Sequence, residues 1–142
     1  MSTVASRVAA VARLAAGLLA AGLLAAAPLA AQARADSAAD IAAIQELARR
    51  FSAAYVRGDA AAMADLYTPD AVIFPERSEA IAGRDAIRRY WTLDPGRRIT
   101  HHELAPAAVV VDGDHAYDHG LFEVAGENDG KAWGPSGGKY VV

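Results

Sequence analysis

The chain has 142 residues, 54% hydrophobic and 22% charged, with 14 Lys and Arg against 17 Asp and Glu and no cysteine. That length holds one domain with a core and no second domain. The lack of cysteine excludes a disulfide scaffold, a thiol nucleophile, a thiolate metal site and an N-terminal lipid anchor on sulfur. A formal net charge of −3 offers no basic footprint for a phosphate backbone, so no nucleic-acid partner is expected.

Residues 1–33 differ in composition from the rest. Arg7 and Arg13 are their only charges, followed by an Ala- and Leu-rich run from Leu14 to Ala27, then Pro28 and the small-x-small ending Ala31-Gln32-Ala33. A basic start, a short apolar stretch and such an ending predict a secretory signal peptide cleaved after residue 33, with Ala33-Arg34-Ala35 as a second site. Read as an uncleaved anchor, the run is broken by Pro28 and falls short of the roughly 20 residues that span a bilayer. A membrane is therefore a partner only through an uncleaved leader. The mature domain, residues 34–142, keeps 12 basic residues against 17 acidic ones and is expected in a periplasm or outside the cell.

The mature chain opens on a helix that Asp36 or Ser37 can cap, with Asp40 placing negative charge in its first turn. Ile41, Ile44, Leu47, Ala48, Phe51, Ala54 and Tyr55 recur at helical spacing and predict one buried stripe. Gly58 ends that helix and Asp59 caps a short second one, with Met63, Leu66 and Tyr67 inward and a stop at Thr68-Pro69-Asp70. Ala71–Phe74 reads as a strand, closed by Pro75, and Glu76–Ala82 as a loop or a ragged second strand. Gly83 introduces a third helix over Arg84–Trp91, which packs through Ile87, Tyr90 and Trp91.

After the turn Asp94-Pro95-Gly96 the period changes to two. Ile99–Leu104 is one strand, Ala107–Val111 continues it after a break at Pro106, and Asp112-Gly113-Asp114 makes a hairpin turn. His115–Ala125 is the next strand and Gly126–Gly130 the next turn. Lys131–Gly138 is Gly-rich and reads as a loop, without the Lys-Ser/Thr that a phosphate loop needs, and Lys139–Val142 begins another strand. No cofactor is implied. Helices followed by an antiparallel meander make an α+β fold, with the helices on one face of the sheet. Because the chain stops in mid-strand at Tyr140-Val141-Val142, one or two C-terminal strands are expected to be missing from it.

Arg57-Gly58-Asp59, Leu66-Tyr67-Thr68-Pro69-Asp70-Ala71, Gly83-Arg84-Asp85-Ala86-Ile87 and Asp112-Gly113-Asp114-His115-Ala116 together resemble the landmarks of the nuclear-transport-factor-2-like superfamily, on the SnoaL-like and ketosteroid-isomerase-like branch. The resemblance runs from Ile41 to Val142. It implies a cone-shaped roll of three N-terminal helices on a strongly bent sheet, a pocket between them, and a homodimer formed through the sheet. It also implies a final strand pair after Gly138-Lys139-Tyr140, which this sequence lacks. Carried over by spacing, the isomerase oxyanion tyrosine falls on Phe51, which has no hydroxyl. The general base falls on Pro75, beside Glu76, and the second oxyanion donor near Lys139. Steroid isomerisation by that mechanism is not expected, because fold alone carries no chemistry.

Five residues remain as acid–base candidates: Tyr55, Glu76, Asp118, His119 and Lys139. Tyr55 can equally be a core tyrosine bonded to backbone, and Glu76 a solvated loop carboxylate. On the 115–125 strand, Ala116, Asp118, Gly120, Phe122 and Val124 share one face, and Tyr117, His119, Leu121 and Glu123 the other. An inward Asp118 paired with Lys139 would shift both titrations, whereas an inward His119 would be the natural proton carrier near neutral pH. His101, His102, His115 and His119 form no compact ligand motif, so no metal site is expected. Phe51, Phe74, Trp91 and Phe122 are the expected pocket lining. The chain then reads as an exported binding domain for a small apolar molecule. One alternative is an acid–base isomerase, cyclase or dehydratase acting on a carbonyl-bearing or polyketide-like substrate. The other is a homodimeric interaction module.

Overall fold

The computed structural model describes residues 37–142, of which Ile41–Val142 form one compact unit. The leader, its cleavage sites and the Asp36 cap fall outside the described residues. Helix α1 covers residues 37–57 and carries Ile41, Ile44, Ala48, Phe51 and Tyr55 half-buried along one stripe, with Ala54 fully buried. Leu47 lies on the flank of that stripe and stays 42% exposed. Gly58, at φ 67°, ends α1 in a Schellman motif: its N–H donates to the Tyr55 carbonyl (3.0 Å) and that of Asp59 to the Ala54 carbonyl (3.0 Å). Asp59 then caps α2 (Ala60–Ala64), accepting from the Ala62 N–H at 2.9 Å. The second helix is shorter than the apolar spacing implies. It ends at Ala64, and Leu66 and Tyr67 sit half-buried in the turn beyond it.

A two-residue ladder pairs β1 (Val72–Ile73) with β2 (Ile81–Ala82), antiparallel. Gly83, at φ 85°, leads into α3 (Arg84–Trp91), as expected from the sequence. The Arg84 guanidinium hooks back onto the Tyr67 carbonyl (Nε 2.8 Å), which ties the start of α3 to the turn after α2. Ile87, Met63 and Ile99 are the largest fully buried side chains, so the core is built from α2, α3 and the start of the first long strand.

Three long strands follow in one antiparallel sheet, in the order β3 (Arg97–Asp112), β4 (His115–Asn128), β5 (Lys131–Val141). Helices packed on an antiparallel sheet make the fold α+β, as expected. Three details differ from the sequence reading. Pro106 does not break the strand. It sits at a register shift between Pro106 and Ala108, where a bulge accommodates a residue without an N–H. Gly126 does not open a turn either. β4 runs on to Asn128, and only Asp129 and Gly130 turn the chain. Finally, Lys131–Gly138 is strand rather than loop. Close packing sets Gly138 in this stretch and Gly126 in β4, whereas Gly134 takes a left-handed φ of 90°. A β-carbon on Gly138 would lie 2.8 Å from the Phe122 ring, and one on Gly126 would enter the Trp133 ring at 2.5 Å and meet the Arg98 carbonyl.

Gly126→Val should therefore cost about 1–3 kcal/mol through overpacking, read as a lower urea midpoint with an unchanged slope. A midpoint equal to that of the wild type would show that Trp133 does not rest on this glycine.

Candidate functional site

The pleat of β4 decides which of its side chains meet the helices. Asp118 and Gly120 are buried, and Phe122 and Val124 half-buried, whereas Tyr117, Leu121 and Glu123 are exposed. The Asp118 face is thus inward and the His119 face outward. Across the sheet Phe122 pairs with Leu104 and with Gly138, and His102 pairs with Val124, so His102 and Leu104 share the inward side.

His102 is the centre of this inner surface. Its Nδ1 is 2.9 Å from the Ser52 hydroxyl of α1. Its ring lies 5.7 Å from Phe51, 5.2 Å from Tyr55 and 6.4 Å from Phe122, and Phe51 and Tyr55 meet Trp91 edge-on at 5.2 and 5.4 Å. Burial, and then the neighbouring His101, lower the His102 pKa to about 4. The imidazole is therefore neutral at physiological pH, and the stability it contributes is full above about pH 6.5 and lost as pH falls through about 4. Burial likewise raises the Tyr55 phenol, against an opposing pull from the Arg97 guanidinium, so Tyr55 is a donor and not an anion. A cleft of about 300 Å³ opens beside the cluster, between α1 and β3, lined by Gln45, Ala48, Ser52, His102, Leu104 and Pro106, with Arg49 and Glu103 at its sides.

The five acid–base candidates do not converge. Tyr55 belongs to the aromatic cluster. The Glu76 side chain is 84% exposed beyond the β1–β2 ladder and pairs with Arg77 at 3.2 Å. Lys139 lies opposite Leu121 on the outward face, so it cannot meet Asp118. His119, also outward, stacks on Tyr117 at 6.1 Å. Asp118 is 5% exposed, and its partner is Tyr140, whose hydroxyl donates to Oδ1 at 3.0 Å and to Oδ2 at 3.2 Å. Four residues of strand, about 13 Å, separate Asp118 from Phe122 and the cluster. Of the expected lining, Phe51, Trp91 and Phe122 take part, while Phe74 does not. It follows the last paired residue of β1, has no strand across from it, and is 81% exposed.

The positions that would carry isomerase chemistry are thus a packed phenylalanine, a loop proline beside a solvated carboxylate, and an outward lysine. The sequence reading missed Ser52 and weighed His102 only as a metal ligand. The available signal was alternation, which sets His102 on the same strand face as Leu104.

A family model described as a SnoaL-like domain matches residues 36–141. The chain belongs to the SnoaL-like domain family. Among solved structures, this SnoaL-like domain is similar to a Mycobacterium tuberculosis protein of unknown function (TM-score 0.62, 25% identity), over 72% of this chain and 60% of that one. It is also similar to an NTF2-like protein with a cystatin-like fold from Novosphingobium aromaticivorans (TM-score 0.58, 27% identity), over 79% and 71% of the two chains. A ketosteroid isomerase-like protein from Erwinia carotovora atroseptica shares the fold at 20% identity (TM-score 0.54), over 70% and 75%. No curated protein matches the chain.

The Asp118–Tyr140 pair gives a prediction with a sign. The adjoining carboxylate and burial raise the Tyr140 pKa to about 12, burial being the larger cause. The group therefore stabilises the fold fully below pH 10, and this contribution is lost as pH rises to about 12. Tyr140→Phe leaves a buried carboxylate without its donor and should cost about 1–3 kcal/mol at neutral pH. Chemical denaturation at a series of pH values should show the gap between wild type and variant shrinking above pH 10. A gap that stays constant to pH 12 would contradict the pairing.

Proposed function

We propose that this SnoaL-like domain is an exported small-molecule-binding protein that holds a compact, largely apolar ligand between α1 and the inner face of the sheet. The observation that carries the reading is the His102–Ser52 contact at the base of the α1–β3 cleft, with aromatic rings on its inner side. A cleft of about 300 Å³ stands at the small end of ligand pockets, and its mix of apolar walls with a few fixed polar groups is what such sites use. The spread of Tyr55, Glu76, Asp118, His119 and Lys139 over both faces and the loops favours binding over acid–base chemistry by that set.

The proposal of export is supported by the signal-like composition of residues 1–33, and its expected destination is a periplasm or the cell exterior. The outward face of the sheet exposes Tyr117, Leu121 (57%) and Val141 (77%), and a second copy of the chain is the proposed cover for it. If that face matters more than the cleft, the protein is chiefly an interaction module. The enzyme reading, an isomerase, cyclase or dehydratase working on a carbonyl-bearing substrate, draws support from the buried Asp118 carboxylate and its Tyr140 donor.

Native mass spectrometry of protein recovered from its host tests the proposal as a whole. The expected result is a dimer of the chain cleaved near residue 33, carrying extra mass of a few hundred daltons that is absent from Ser52→Trp, which fills the cleft. Equal retention by wild type and variant, or retention by neither, would contradict ligand binding at this place.

A further inference from the structure

Among the described residues β3 is an outer strand of its sheet, and two carbonyls fix which of its backbone groups lie on the free edge. A β-carbon on Gly137 of β5 would collide with the Phe122 carbonyl, and one on Gly120 of β4 with the Ala105 carbonyl. Phe122 therefore bonds towards β5, and its neighbours Leu121 and Glu123 bond towards Ala105 and Glu103, the residues opposite them on β3. Alternation then turns the N–H and C=O of His102 and Leu104 away from β4. Among the described residues no other backbone hydrogen bond reaches these two. Pro106, next in the same phase, has no N–H to offer.

The α1–β3 cleft reaches this edge. Glu103, which stands opposite Glu123 on the outward face, lines it together with His102 and Leu104, so the cleft is not confined to the inner face. Its other wall is α1, with Ala48 and Ser52. An open strand edge beside a helix is where an extended chain adds as a further strand: main-chain bonds hold it, and alternate side chains fill the groove. Register shifts at Ile99/His101 and Pro106/Ala108 end the regular run on both sides, so only His102 and Leu104 are left to pair and the added chain is short. Arg49 is already paired with Glu46 at 2.9 Å, and Glu103 stands at the other side, so the walls offer no free cation for a carboxylate. We propose that the ligand of this cleft is a short, uncharged, extended peptide of two or three residues. Its amide N–H and C=O pair with the free edge at His102 and Leu104, and an apolar side chain rests on Ala48 and Leu104. This rests on the binding reading above and adds the chemical class of the ligand.

Amide hydrogen exchange, read by nitrogen–proton NMR on the full chain, tests it with three probes. These are N-acetyl-leucyl-leucine N-methylamide, its ester analogue with the central N–H replaced by oxygen, and tert-butylcyclohexane. In the free protein His102 and Leu104 should exchange at least about tenfold faster than Glu103 and Ala105, whose N–H groups bond to β4. Saturating peptide should slow His102 and Leu104 at least about tenfold, and should not do so in Ser52→Trp. The ester should bind at least about fivefold more weakly than the peptide, the worth of one hydrogen bond. Slow exchange at His102 and Leu104 in the free protein would overturn the edge assignment. Equal binding of peptide and ester without protection of these two amides would overturn strand addition and leave the cleft standing. Hydrocarbon binding that Ser52→Trp abolishes, with no binding of the peptide, would do the same. Binding of none of the three at millimolar concentration would overturn both the peptide and the binding reading.

Discussion

Alternation along β4 is the constraint on which the rest depends. A strand exposes successive side chains to opposite faces, so burying Asp118 and Gly120 commits Phe122 and Val124 to the helix side and Tyr117, His119 and Leu121 to the other. Cross-strand pairing passes this choice to the neighbours. It brings His102 and Leu104 inward from β3 and Gly138 and Tyr140 from β5, and it sends Lys139 outward. A slip of one residue would exchange every one of these partners. Phe122 on Gly138 and Trp133 on Gly126 hold the register, since each ring occupies the space of a missing β-carbon.

Two unlike environments result on one inner face. At one end a buried carboxylate receives a tyrosine hydroxyl. At the other, a neutral histidine held by Ser52 stands among Phe51, Tyr55 and Phe122, with Trp91 behind them. The second place joins aromatic packing around His102 to a cleft that also carries polar and charged side chains from α1 and β3. Burial there explains the depressed His102, which stays neutral between its aromatic neighbours.

Much of this was readable from the residues. The apolar spacing from Ile41 to Tyr55, Gly58 followed by Asp59, and the Arg84–Trp91 helix are local signals, and the chain obeys them. Pro106, Gly126 and the Gly134–Gly138 tract misled for a shared reason. Local rules read proline and glycine as breaks, whereas bulges and rings arriving from a neighbouring strand turned them into strand positions. The candidate site was legible in part. Tyr55, Phe51, Trp91 and Phe122 follow from aromatic residues on predicted faces. Ser52–His102 and Asp118–Tyr140 join residues 50 and 22 positions apart, and such pairs exist only once the sheet register is set.

Cysteine scanning along β4 tests the central claim most directly, because the chain has no cysteine of its own. Single substitutions Asp118→Cys, His119→Cys, Leu121→Cys, Phe122→Cys and Glu123→Cys are labelled with a maleimide at protein concentrations low enough to keep the outward face uncovered. Fast labelling at 119, 121 and 123 with slow labelling at 118 and 122 is the predicted pattern. The inverse pattern, or equal rates at all five positions, would contradict the assignment of the inner face and the site built upon it.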